Sequence, residues 1–159
     1  MSLIEENKGI IYKIANMYGR SKPDRDDLFQ DIVLKLWQAI DSYDANYKLS
    51  TWMYRIALNT AISFYRKQKV RDNHFLPLMA SMVEVGDLRT SKESEQKYIL
   101  LQQFISELKE LDKALMLLYL EEKPYKEIAD IMGITESNVG TKIGRLKELL
   151  RQRFAMQNR

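Results

Sequence analysis

Apolar side chains recur every three or four residues along most of this chain, and no stretch shows the two-residue alternation of a half-buried strand. The pattern predicts an all-α fold. In the first segment Ile4, Ile11, Ile14, Ala15 and Tyr18 share one helical face, which Gly19 closes. A second helix is expected after Pro23, with Asp24 as its cap. Asp26, Asp27 and Asp31 give its early turns the negative charge that a helix N-terminus favours. Its apolar face is Leu28, Ile32, Leu36 and Ile40, with Phe29, Val33 and Trp37 alongside. A turn-rich loop, Ser42 to Lys48, leads to a third helix that Ser50 is placed to cap. That helix carries Trp52, Met53, Ile56, Ala57, Ala61, Ile62 and Tyr65 and ends in the basic run RKQK.

Residues 71–93 break the periodicity with Pro77, Gly86 and several polar positions. The division expected is a first domain over 1–70, a linker over 71–93 and a second domain over 94–159. A linker of this length spans about 75 Å fully extended and about 26 Å as a random coil, enough for two domains to work at separate sites. Its run HFLPLMASMVEV is too apolar for a plain solvated tether. Helical spacing resumes through Tyr98, Leu101, Ile105 and Leu108. Asp112 then stands as a candidate cap for a helix through Ala114, Leu115, Leu118 and Tyr119.

The segment PYKEIADIMGITESNVGTKIGRL is the most specific in the chain. Pro124 opens a short helix with Ile128, Ala129 and Met132 as buried positions, and Gly133 supplies the left-handed residue that ends it. Thr135 caps a following helix that buries Val139, Ile143, Leu146 and Leu150. This is the spacing of a helix-turn-helix. The exposed face of the second helix holds Glu136, Ser137, Asn138, Thr141, Lys142 and Arg145, side chains of the types that contact base edges or phosphates. Gly140 and Gly144 interrupt this helix at about 1 kcal/mol each relative to Ala. Either a backbone approaches that strip closely, or the packed helix tolerates two glycines.

Two further motifs lie in the N-terminal part. In DDLFQDIVLKLW, residues 26–37, Asp27, Gln30, Asp31 and Leu34 form a partly polar face unlike a core. The carboxylates there serve capping or docking. Asp24, Asp27 and Asp31 have neither a histidine nor a glycine-rich loop beside them, so no metal is expected. In LSTWMYRIALNTAISFYRK, residues 49–67, Arg55, Asn59, Ser63, Arg66 and Lys67 form a polar stripe. With Tyr54, Tyr65 and the loop tyrosines it is suited to hold single-stranded DNA by charge and stacking. Aromatics at such spacing are otherwise core residues, Trp37 and Trp52 above all.

Composition narrows the class. The chain has 159 residues, 45% hydrophobic and 30% charged, which suits a globular protein of one or two small domains. It has no cysteine and a single histidine, His74, which excludes a disulfide framework and any cysteine-based zinc site. No apolar run is long enough to span a bilayer and MSLIEENKG lacks a signal-peptide core, so a cytoplasmic location is expected. Net charge is only +3, but Lys126, Lys142, Arg145, Lys147, Arg151, Arg153 and Arg159 crowd toward the C-terminus. A basic terminal helix is either a phosphate-binding footprint or an ordinary solvated one.

Three blocks in this order resemble the extracytoplasmic-function (ECF) sigma factors of bacterial RNA polymerase. DLFQDIVLKLW is similar to the family's DLVQEVFLRLW, and WMYRIALNTAISFYRK to its WLYRIARNLALDLLRR. KPYKEIADIMGITESNVGTKIGRLKELL is similar to its LSYKEIAEILGISVGTVKSRLHRARKKL. The resemblance covers 1–70 and about 94–155.

It implies a promoter-melting domain and a helix-turn-helix domain, no catalysis and no cofactor, the catalytic metal being the polymerase's own. Asp27, Leu28, Gln30, Asp31 and Leu34 then fall on the surface that docks on the clamp helices of the polymerase β′ subunit. Asn46, Lys48, Trp52, Arg55, Asn59, Arg66 and Lys67 fall on the elements that take the −10 strand. Thr135, Glu136, Ser137, Asn138, Thr141, Lys142 and Arg145 fall on the −35 surface. The implied partners are core polymerase, through the β′ clamp helices and the β flap, promoter DNA and, as an optional third, an anti-sigma factor. Ser63 departs from the family's Asp, and Gly140 and Gly144 from polar or basic positions.

Two rivals are weighed against this reading. A conventional helix-turn-helix regulator of duplex DNA accounts for the C-terminal half but not for the first two blocks. A nucleic-acid enzyme needs a convergent carboxylate or histidine site, and the sequence offers none.

Overall fold

The computed structural model describes residues 2–71 and 92–157. Most of the expected linker, with Pro77 and its apolar run, lies outside the described residues, as do His74 and Arg159. The described residues are helical throughout, joined by short turns, with no strand among them. The chain divides into two compact units, one holding the first four α-helices, the other the remaining helices apart from a few residues.

In the first unit the expected opening helix is broken into α1 (Ser2–Glu6) and α2 (Lys8–Tyr18). Asn7 makes the break by donating its side-chain amide to the Leu3 carbonyl at 2.8 Å. Gly19 follows α2 in extended backbone, and nothing larger fits there: a Cβ falls 2.8 Å from the Arg25 Cα. The next helix, α3 (Lys22–Ala39), begins earlier than expected, and its cap is Ser21 rather than Asp24. The Ser21 hydroxyl accepts the Asp24 backbone N–H at 3.2 Å, and Pro23 sits in the first turn, where no amide is needed. A single 3₁₀ turn, Ile40–Ser42, leads into the loop before α4 (Leu49–Arg71). Ser50 lies inside α4 and is not its cap.

Helices α2, α3 and α4 pack mutually around Ile11, Ile14, Tyr18, Leu28, Ile32, Leu36, Met53, Ala57, Leu58 and Ala61, all buried. Each large aliphatic side chain there contributes roughly 1.5–3 kcal/mol. Trp37 is a correction to the expected core: it is 51% exposed. Leu28, Ile32 and Leu36 are spaced by four and form the buried ridge, and at 100° per residue Trp37 lies roughly 140° from its centre.

The second unit contains α5 (Lys92–Glu107), α6 (Glu110–Leu120), α7 (Tyr125–Met132) and α8 (Glu136–Gln157). Six successive residues of α6, Lys113 to Leu118, are buried, so it is the central element, packed on α5 and α8. Its N-cap is Lys109, and Asp112, expected to cap it, sits within the first turn. In α5 Phe104 and Ile105 are buried while Tyr98 is half-exposed. In α7 the buried positions are Ile128, Ala129 and Ile131, with Met132 only partly covered. Gly133 has φ 69° and the Ile134 N–H returns to the Ala129 carbonyl, the geometry that stops α7.

Candidate nucleic-acid interface

Helix α8 starts where its sequence says it should. The Thr135 hydroxyl accepts the Asn138 backbone N–H at 3.1 Å, and the Val139 N–H reaches the Thr135 carbonyl at 3.0 Å. Val139, Ile143 and Leu146 are buried and fix the rotation of the helix. That rotation leaves Thr135, Glu136, Ser137, Asn138, Thr141 and Arg145 exposed, with Lys142 half-covered. Thr141 returns its hydroxyl to the Ser137 carbonyl at 3.1 Å, so two members of this face are held locally.

The later basic residues of α8 have other work. Arg153 donates from Nη1 to Glu107 Oε2 at 2.8 Å, joining the ends of α5 and α8. Arg151 pairs with Glu148 at 2.8 Å, and the Lys147 ammonium stands 5.3 Å from the centre of the Tyr119 ring. The basic crowding near the C-terminus is in large part a set of clasps within the unit. In this unit the exposed polar face of α8 lies along its first three turns.

Gly140 and Gly144 are now separable. A Cβ at Gly140 would meet the Tyr125 ring at 3.7 Å, an ordinary contact, while one at Gly144 would meet nothing within 4 Å. Among the described residues nothing in the packing requires either glycine, and Gly144 is exposed.

In the first unit, the loop before α4 is braced from inside. The Tyr43 hydroxyl donates to the Tyr47 carbonyl at 2.7 Å, and its ring lies 5.2 Å from that of Trp52. The Asp44 carboxylate accepts the Asn46 N–H at 3.0 Å, forming a local side-chain turn. Asn46, Tyr47 and Lys48 are exposed on this frame, while Trp52 is half-buried. Along α4, Arg55, Asn59, Ser63, Arg66 and Lys67 are all exposed and form one stripe.

The two tyrosines of α4, weighed between stacking and core, fall toward the core. Tyr54 is 2% exposed and belongs to the core. Tyr65 is half-buried, with the Tyr18 ring 6.2 Å away and the Arg20 guanidinium 5.2 Å over its face. Tyr47, one of the loop tyrosines weighed as stacking groups, is the exposed aromatic of the loop. A tyrosine inside a turn-forming run was the available signal.

On α3, Asp27, Gln30, Asp31 and Leu34 are exposed. Leu28 is fully buried and supports this face without forming part of it. Trp37 joins the face instead, so that Leu34 and Trp37, each about half exposed, make an apolar strip beside two carboxylates. Sequence spacing missed Trp37 because tryptophan is ordinarily a core residue.

Comparison with known proteins covers both units. Residues 3–71 match the family model for sigma-70 region 2, and residues 98–150 that for sigma-70 region 4. The chain is 29% identical to the ECF RNA polymerase sigma factor SigW of Bacillus subtilis, over 96% of this chain and 87% of that protein. It is also 29% identical to the ECF RNA polymerase sigma-E factor of Escherichia coli K12, over 87% and 79%. Among solved structures it is similar to the sigma factor RpoE of Bartonella quintana, crystallised with the anti-sigma factor NepR. The TM-score is 0.76 at 18% identity, covering 97% of this chain and 95% of that one. It is similar also to CnrH, solved with the cytosolic domain of CnrY, with TM-score 0.67, 20% identity, and coverage of 98% and 86%.

Proposed function

We propose that this chain, which belongs to the ECF sigma factors, divides promoter recognition between the stripe on α4 and the first turns of α8. The protein is an RNA polymerase sigma factor: it directs the core enzyme to promoters. The assignment of individual residues is our reading. Ser137, Asn138, Thr141, Lys142 and Arg145 contact the −35 duplex from α8. Asn46, Tyr47, Lys48, Arg55, Asn59, Arg66 and Lys67 take the −10 strand as it leaves the duplex. Asp27, Gln30, Asp31, Leu34 and Trp37 dock on the β′ clamp helices.

The observation that carries this reading is the presence of two differently built polar faces in one chain. The α8 face is short, capped and made of hydrogen-bonding side chains, as a major-groove reader requires. The α4 face is long, basic and adjoins a loop with an exposed tyrosine, as a single-strand platform requires. Trapping an unstacked base is worth about 1–3 kcal/mol, which lowers the cost of opening the duplex. No bond is made or broken by this chain; nucleotide addition belongs to the polymerase. A duplex-binding regulator needs only the second unit, and leaves the α3 and α4 surfaces without a purpose.

The units proposed are a melting and docking domain within 2–71 and a helix-turn-helix domain within 92–157. Limits near residues 70 and 94 are supported by α4 running to Arg71 and α5 starting at Lys92. An anti-sigma factor is a further proposed partner, as for RpoE of Bartonella quintana. The cytoplasm is the proposed place of action, and no described helix is long and apolar enough to cross a membrane. The test is transcription in vitro on a promoter pool, with core polymerase alone and with this protein added. Specific start sites that depend on the protein are expected. Duplex binding without any new transcript would overturn the reading.

A further inference from the structure

Asp112 was expected to cap α6, but Lys109 holds that position and leaves the Asp112 side chain without capping duty. Its carboxylate points across to α8, where Oδ1 lies 3.9 Å from Nη2 of Arg145. The Asp112 side chain is 19% exposed and that of Arg145 61%, so the acid is held in place while the base reaches outward. At this separation the pair is a charge contact without a hydrogen bond, which restrains the guanidinium and does not lock it. The nearest acid along α8, Glu148, is already paired with Arg151.

We infer that Asp112 is a positioning residue that biases Arg145 toward base edges and away from phosphates. The inference rests on the placement of Arg145 in the −35 surface. A guanidinium is a planar fork with two usable edges. One edge can face the Asp112 carboxylate while the other donates a bidentate pair to guanine O6 and N7. A base edge is uncharged and accepts this arrangement. A phosphate does not: its negative charge is repelled by Asp112, and binding it draws Arg145 out of the pair. The acid therefore weakens sequence-independent contact more than it weakens readout. That difference is specificity.

The experiment uses holoenzyme reconstituted with core polymerase and measures equilibrium binding to two duplexes. One carries the preferred −35 element and the other a scrambled one, each over a range of salt concentrations. Asp112→Asn should raise affinity for the scrambled duplex at low salt and narrow the preference by about two- to five-fold, the range an exposed ion pair supports. Asp112→Glu should retain most of the preference. Arg145→Ala should narrow it further, and the double variant should match Arg145→Ala alone.

A merely structural Asp112 predicts otherwise: lower thermal stability, unchanged preference, and effects that add to those of Arg145→Ala. Either an unchanged preference or full additivity overturns the inference while leaving Arg145 in the −35 surface. If Arg145→Ala itself leaves the preference unchanged, the placement of Arg145 fails and the inference falls with it. Asp112→Ser, which suits the first turn of a helix, serves as a second variant should the Asn protein fold poorly.

Discussion

Gly133 and Glu122 occupy the same position in two successive helix terminations, with φ of 69° and 60°. After α7 the Ile134 N–H returns to the Ala129 carbonyl. After α6 the Lys123 N–H returns to the Leu118 carbonyl and the Glu122 N–H to that of Tyr119. Both are left-handed stops of the kind glycine favours, and only one has glycine. A side chain in this conformation costs roughly 1–2 kcal/mol, partly offset by the greater freedom glycine has in the unfolded chain. Glu122→Gly should therefore stabilise the second unit by about 0.5–1 kcal/mol. Gly133→Ala should destabilise it by about 1 kcal/mol or more, even though its Cβ meets nothing within 4 Å. Urea unfolding of the two variants measures both. Equal midpoints would mean that neither turn governs stability.

Gly144 offers a test of contact from outside the chain. With no described residue within 4 Å of an added Cβ, Gly144→Ala should gain about 1 kcal/mol of helix stability. If DNA approaches the strip closely, the added methyl should also weaken binding to a −35 duplex several-fold. Thermal unfolding and promoter binding by the holoenzyme give the two readouts. Raised stability with unchanged binding would make the glycine a tolerated one.

Trp37 separates a core role from a docking role. A buried tryptophan truncated to alanine loses about 3–5 kcal/mol. At 51% exposure Trp37→Ala should cost far less and leave the helical signal intact. Its expected effect is on assembly: co-purification with core polymerase should fall, as it should for Asp31→Arg on the same face. Either variant binding core polymerase at the wild-type level removes that residue from the docking surface.

The features visible in sequence were those set by local chemistry. Gly133 and Thr135 define the helix-turn-helix because a left-handed stop and a hydroxyl cap each need particular residues at fixed places. The four-residue spacing of Leu28, Ile32 and Leu36 likewise marks one buried ridge. What depended on neighbours in space was less visible. Asp112 has the composition of a cap, yet the turn after Leu108 starts α6 at Glu110 and turns Asp112 to another use. Tyr54 adjoins Arg55 in sequence but lies about 100° around the helix, on the core side. Trp37 was placed inside by residue type, against its own helical angle. The basic C-terminus reads in sequence as either a phosphate footprint or a solvated helix, and Glu107, over forty residues away, holds Arg153.

The two polar faces should fail at different steps. Lys142 and Arg145 lie three apart on α8, so both can reach one stretch of duplex, and an arginine contact to base edges is worth about 1–3 kcal/mol. Asn59 lies on the exposed stripe of α4 and contributes, in the proposed reading, only once a strand has separated. Arg145→Ala should weaken the initial promoter complex by about ten-fold or more and make −35 substitutions matter less. Asn59→Ala should leave that complex nearly unchanged and slow opening. A template with a pre-melted bubble should restore transcription by the Asn59 variant and not by the Arg145 variant. Transcription on duplex and bubble templates, with 2-aminopurine fluorescence following strand separation, distinguishes the two steps. If both variants lose initial binding equally and the bubble rescues neither, α4 and α8 act on the same DNA form, and the proposed division between them is wrong.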